Sequence, residues 1–305
     1  MKNKVTIIGA GMVGSTIAYS LIMRDSAEEV AMVDVNEELV EAQVMDLQHA
    51  VPFTGQTEIK VGAYEDCADS RVAVITCGVS QKKGETRLDL VERNAQIIKQ
   101  IVPLIFEQNP DIVLVMVTNP VDILTRLAID LFPEKKDQIM GSGTILDSAR
   151  FRHLIGREMN INPRSIHAYI LGEHGDSEFP VWSMAQIGNM KMDSCEYLAE
   201  DKKEEIFSKA KNAAYAIIEG KQSTYYGIGS GASYLVHTIL HDKKTVLPVS
   251  HLMTGAYGVK DVCLSMPVVI GRGGITKRIC VELSTEEQKL LRHSAQVLND
   301  VYKSI

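Results

Sequence analysis

Four short runs of apolar, largely β-branched residues punctuate the first half of the chain: Val5–Ile8, Val30–Val33, Val72–Ile75 and Ile112–Val117. They are continuous rather than alternating, the pattern of strands buried on both faces of a parallel sheet. Helix-length stretches such as Ser15–Arg24 and Leu88–Phe106 lie between them. Alternation of this kind predicts an α/β fold with a doubly wound parallel sheet. The second half has a different rhythm. Ile166–Ile170, Val246–Met253 and Val262–Ile270 predict strands, separated by longer helices such as Lys202–Ile218. Ser284 and Glu287 fit a capping box, after which Leu291, Ala295, Leu298 and Tyr302 mark one face of a last helix. This half predicts a mixed α+β domain. The boundary falls near Gly141-Ser142-Gly143, dividing the chain into residues 1–141 and 142–305.

Length agrees with that division, since 305 residues exceed what one compact core usually holds. A net charge of -7, with no dense Lys/Arg run, argues against a nucleic-acid partner. Five scattered cysteines without a CxxC suit free thiols in a reducing cytoplasm. His237 and His241 stand four apart, as a metal pair would on a helix, but no HExxH and no third ligand accompany them. No metal is expected. Lys2 and Lys4 ahead of an apolar stretch superficially resemble a signal peptide, but Gly9, Gly11 and Gly14 interrupt it. No run approaches the roughly 18 apolar residues of a membrane helix. A soluble cytoplasmic protein without a membrane partner is expected.

Those glycines have a better reading. Gly9-Ala10-Gly11-Met12-Val13-Gly14 follows the first predicted strand and opens a helix, the context a dinucleotide-binding GxGxxG requires. Gly9 permits the tight turn, Gly11 lets the backbone approach a pyrophosphate, and Gly14 lets helix and strand pack closely. The helix N-terminus offers unpaired N–H groups to the phosphates. Asp34 ends the second strand twenty residues after Gly14, placed to accept from ribose hydroxyls and to repel a 2′-phosphate. NAD is therefore expected as cofactor, rather than NADP. Gly9, Asp34, Thr76-Cys77-Gly78 and Thr118-Asn119 all fall at carboxyl ends of predicted strands, the edge where open α/β sheets bind ligands.

Four further stretches carry chemistry: Gly78–Arg87, Thr118-Asn119-Pro120-Val121-Asp122, Leu146–Arg152 and Leu171-Gly172-Glu173-His174-Gly175-Asp176-Ser177. With GAGMVG, in this order and spacing, they resemble the lactate/malate dehydrogenase family in its bacterial form, along almost the whole chain. The resemblance implies an N-terminal Rossmann NAD-binding domain (1–141) and a C-terminal catalytic, substrate-binding α+β domain (142–305). It implies His174 as proton donor and acceptor, Asp147 as its partner, Arg150 on the substrate carboxylate and Arg87 on the carbonyl. It also implies Met12, Val13, Tyr64, Gly78, Val117 and Asn119 at the cofactor, with Asn119 reaching the substrate as well.

Physical chemistry supports these roles. Reducing a 2-keto acid requires a hydride and a proton, and imidazole titrates near neutrality. A carboxylate beside the ring orients it and favours imidazolium. Asp147 and Arg150 are three apart and share a helix face, so one can address the histidine while the other forks a carboxylate. Arg87 would stabilise charge developing on the carbonyl, at the end of a polar loop that reads as a lid. In the family, malate dehydrogenases typically place arginine where this chain has Gln81, and lactate dehydrogenases glutamine. A neutral amide there leaves the second carboxylate of oxaloacetate unpaired, at several kcal/mol. Thr224 matches a position that limits the width of the same pocket. The pyruvate/lactate pair is thus favoured, with oxaloacetate or branched 2-keto acids as alternatives. Lys83 and Glu38 depart from the family pattern, in the lid and near the adenosine.

Arg152 and His167 match positions that line a fructose 1,6-bisphosphate site in allosteric bacterial members. On a helix Arg152 points about 160° away from Arg150. On one continuous strand His167, seven residues before His174, would face the opposite way. A homotetramer with that bisphosphate as a possible effector is implied.

Overall fold

The computed structural model describes residues 2–79, 87–192 and 198–304. Strand and helix alternate as β1 (Lys4–Ile8), α1 (Met12–Met23), β2 (Glu29–Val33), α2 (Glu37–Ala50), β3 (Glu58–Val61), β4 (Val72–Ile75), α3 (Arg87–Gln108), β5 (Val113–Met116), α4 (Val121–Leu131) and β6 (Ile139–Gly141). The six strands pair in parallel in the order β3-β2-β1-β4-β5-β6. Every residue of β1, β2, β4 and β5 is buried, which is why their apolar runs are continuous. The winding reverses between β1 and β4, and a crevice opens there at the carboxyl ends of the strands.

The second half contributes α5 (Ile145–Met159), β7 (Ile166–His167), β8 (Ile170–Leu171), β9 (Phe179–Pro180), β10 (Gln186–Ile187), β11 (Met190–Lys191), α6 (Glu200–Lys221), α7 (Tyr226–Leu240), β12 (Thr245–Thr254), β13 (Lys260–Gly271), β14 (Gly274–Arg278) and α8 (Thr285–Tyr302). The antiparallel meander β12-β13-β14 joins β6 through Ser250 opposite Gly141, so nine strands form one sheet across both halves. The run Ile166–Ile170, expected as one strand, is two. β7 pairs with β10 and β8 with β9, in different small sheets, so the chain must leave one before entering the other.

Two helices of the second half reach back to the first. α7 lies along α1, burying Ile17 and Leu21 with Leu235 and Ile239 in one core cluster. The approach is tight, since a Cβ on Gly229 would stand 2.4 Å from Thr16 Cγ2. His237 and His241, the metal pair considered from their spacing, stack with ring centroids 4.4 Å apart at the end of this contact. His237 Nδ1 lies 3.0 Å from Ser26 Oγ, and His241 Nε2 lies 3.0 Å from the Ser26 carbonyl, so both rings fasten α7 to the turn after α1. α8 opens with the expected capping box: Glu287 N–H donates to Ser284 Oγ and Ser284 N–H to Glu287 Oε2. Among the described residues no helix is long and apolar enough to cross a membrane.

Candidate active site

The glycine loop has the geometry its sequence requires. Gly9 sits at φ +109°, where a side chain would be strained, and a Cβ there would also stand 2.5 Å from the Cys77 backbone nitrogen. A Cβ on Gly14 would fall 1.9 Å from the Gly9 carbonyl oxygen. Gly11 is different, because its Cβ would meet nothing within 4 Å among the described residues. It caps α1 without any side-chain hydrogen bond, and the first turn carries no acidic residue. Open space in front of an uncapped helix N-terminus fits a pyrophosphate. Asp34 accepts the Ala10 N–H at 2.6 Å through one oxygen and the Asn36 N–H at 2.9 Å through the other. It therefore fixes the glycine loop from the carboxyl end of β2, and its remaining lone pairs are those available to a ribose. Tyr64 packs half-buried with Cys67 and Cys77, and burial, with the Asp34 charge nearby, raises its phenol pKa. Its place is beside Asp34.

A cleft of about 340 Å³ continues from this crevice, lined by Val13, Gly78, Val117, Asn119, Arg150, His174 and Thr224 among others. Asp147 and Arg150 come from α5, and His174 from the turn after β8. Asp147 is buried and has a partner on each oxygen. His174 Nδ1 lies 2.6 Å from Oδ2, and Arg150 Nη1 donates to Oδ1 at 2.8 Å. The expected division of labour is thus partly a shared one: Arg150 also holds Asp147, with its other N–H groups left for a carboxylate. Burial disfavours charge on the His174 ring, which is 28% exposed, but the Asp147 charge and hydrogen bond outweigh it and push the ring up to about 9. Burial likewise opposes charge on Asp147, yet His174 and Arg150 hold it below its ordinary value.

The motifs left several supporting residues unassigned. Asp122, fully buried on α4, accepts the His174 backbone N–H at 2.7 Å, and burial pushes its carboxyl up to about 6. Ser294 on α8 accepts the Glu173 N–H at 2.7 Å, so the turn is anchored on both sides. Asn94 on α3 accepts the Val79 N–H and donates to the Asn119 carbonyl, fastening the ends of β4 and β5 together. A buried Asn inside an amphipathic helix pattern, as at Asn94, is the signal that could have found it. Gln81 lies outside the described residues, as does Lys83, and of Arg87 only the backbone, the first residue of α3, is described.

The model of the lactate/malate dehydrogenase NAD-binding domain matches residues 3–141, and that of the α/β C-terminal domain of the same family matches residues 144–305. The chain belongs to the lactate/malate dehydrogenase family. It is an NAD-dependent oxidoreductase. The enzyme is 43% identical to an L-lactate dehydrogenase of Acetivibrio thermocellus, over 99% of this chain and 97% of that one. It is 47% identical to L-lactate dehydrogenase 1 of Bacillus cereus, over 98% and 96%. Among solved structures it superposes with a TM-score of 0.96 on MGS-M5, a lactate dehydrogenase from a Medee basin deep-sea metagenome library, at 38% identity and 100% and 99% coverage. The ligand-bound minor L-lactate dehydrogenase of Enterococcus mundtii gives the same score at 37% identity, with 100% and 98% coverage.

The remaining pair lies away from the enzyme's cleft. Arg152 is half-buried near Tyr169 and Tyr234, and burial lowers its guanidinium pKa despite both rings. His167 is exposed on β7. His167 and His174 do not share the expected strand, which breaks at Ala168 and Tyr169, and His174 sits in a turn, so residue parity does not set their relative directions.

Proposed function

We propose that the chain interconverts pyruvate and L-lactate with NAD as hydride carrier. The observation that carries this is the buried Asp147 bridging His174 and Arg150 on a cleft continuous with the glycine loop. NAD supplies the hydride chemistry when bound. His174, protonated at neutral pH, gives its proton to the oxygen of the keto acid and takes one from lactate in reverse. Arg150 forks the substrate carboxylate from the cleft wall. Arg87 and Gln81 are assigned the carbonyl and the substrate's far end, and Thr224 the pocket's width. Asn119 lies between cofactor and substrate. Residues 1–141 serve NAD and residues 142–305 the substrate. The buried free thiols of Cys67 and Cys263 suit a reducing cytoplasm. A homotetramer with Arg152 and His167 at a bisphosphate site completes the reading.

The test is NADH oxidation with pyruvate, oxaloacetate and 2-ketoisocaproate in parallel. Pyruvate should give the highest kcat/KM, and a preference for either of the others would overturn the substrate. His174→Asn should lose turnover by several orders of magnitude while NADH still binds by fluorescence titration. Near-normal turnover would remove His174 from the proton step.

A further inference from the structure

One ionisable group beside this pair has no role in the scheme above. Glu178 lies between Asp176 and β9, only 6% exposed, and its N–H donates to the Gly175 carbonyl at 3.2 Å. A carboxyl oxygen of Glu178, a carboxyl oxygen of Asp147 and a ring nitrogen of His174 all lie within 4.8 Å of one another. Glu178 Oε1 is buried without a hydrogen-bond partner among the described residues. Two carboxylates and one imidazolium cannot all be charged there at little expense, because burial and the neighbouring Asp147 charge both disfavour a second anion.

We infer that Glu178 is a positioning residue for the proton step: a neutral carboxylic acid beside Asp147 in the neutral range, whose ionisation at alkaline pH keeps the His174 ring charged. The inference rests on the assignment of His174 made above. Burial first, then the Asp147 charge, push Glu178 up to about 8, against the opposing pull of His174, Arg150 and Lys211. Among the described residues Asp147 and these three are the charged groups that act on it most, from its own turn, from α5 and from α6; Lys211 also donates to the Asp176 carbonyl at 2.7 Å. Asp122 also favours the charged ring. As pH rises, Glu178 releases its proton to solvent before the ring does. The new anion then stabilises imidazolium, so the proton needed for keto-acid reduction is retained to higher pH. The two titrations belong to the pair rather than to either group alone.

Glu178→Gln copies the neutral acid in shape and cannot ionise. At pH 6 its kcat/KM for pyruvate should stay within about twofold of wild type, whereas its alkaline decline should begin about one pH unit earlier. Superimposable profiles would overturn the inference, and so would a uniform loss at every pH, which would mark a packing role. An infrared titration of the whole enzyme supplies a readout without turnover. Wild type should show the carbonyl band of a protonated, buried carboxyl that fades as pH rises past about 8, and Glu178→Gln should lack that band. Its presence in both proteins, or in neither, would overturn the inference. A wild-type rate without any alkaline decline would instead count against His174, and the infrared result would still decide Glu178.

Discussion

Asp147 has two oxygens and two cationic partners, and the pH behaviour of the enzyme follows from that. His174 is raised from an ordinary 6.5 to about 9, so its pairing stabilises the fold fully below 6.5 and the benefit is lost as pH rises through 9. Asp147 is lowered from an ordinary 3.8, so its contribution is present above that value and lost on acidification. Keto-acid reduction needs the charged ring and should decline through about pH 9, while lactate oxidation needs the neutral ring and should rise over the same range. Asp147→Asn removes the charge that opposes burial. The decline should then move to or below 6.5, and kcat/KM for pyruvate at pH 7 should fall at least about fourfold. Steady-state pH profiles in both directions check this, and an unmoved alkaline limb would separate Asp147 from the ring's protonation. At this scale the sequence was legible where a motif names both partners, as for Asp147, Arg150 and His174. It placed Asp122 in a motif without giving it a role and was silent on Glu178, because what each does depends on burial beside a residue distant in the chain, His174 for Asp122 and Asp147 for Glu178.

At the scale of the element, α1 shows how a glycine's position decides what its replacement does. Gly14→Ala would drive a methyl to 1.9 Å from the Gly9 carbonyl, so helix and strand must part. Destabilisation of about 1–3 kcal/mol is expected, together with weakened NADH binding. Gly11→Ala meets no atom within 4 Å among the described residues and has an ordinary φ of -68°, so the fold should be nearly unchanged. Its methyl would occupy the space in front of the helix N-terminus, and NADH affinity should fall about tenfold or more. Chemical denaturation and NADH fluorescence titration distinguish the two variants, and equal loss of stability in both would contradict the geometry. Strands β1, β2, β4 and β5 were legible because burial on both faces leaves an uninterrupted apolar run. β3 was not, since only Ile59 is buried in an edge strand of four, nor was the three-residue β6. Short strands carry too little pattern to stand out from loops.

The whole molecule adds relations that no local window holds. The sequence divided the chain near residue 141, and the pairing of Ser250 with Gly141 carries one sheet across that point. Nothing in either segment alone announces the pairing. The proposed effector site is likewise a matter of assembly, since Arg152 on α5 and His167 on β7 stand apart from the cleft. If two subunits meet there, a bisphosphate that binds one quaternary state more tightly shifts the population towards it. Millimolar fructose 1,6-bisphosphate should then sharpen pyruvate saturation at low phosphate and stabilise a tetramer in sedimentation. Arg152→Gln with His167→Gln should abolish both effects. An unchanged wild-type curve, or activation that survives the double variant, would rule the site out.

The continuous sheet also determines how the molecule can be divided. β6 has β5 on one side and β12 on the other, and Ile139 and Met140 are wholly buried between them. A fragment ending at Gly141 would bare an unpaired backbone edge flanked by apolar side chains, the kind of edge that recruits other chains. The dinucleotide-binding half is therefore not a portable cassette. Its solubility is on loan from the meander that follows it, and a domain exchange between relatives must carry β12 along with whatever lies ahead of residue 142.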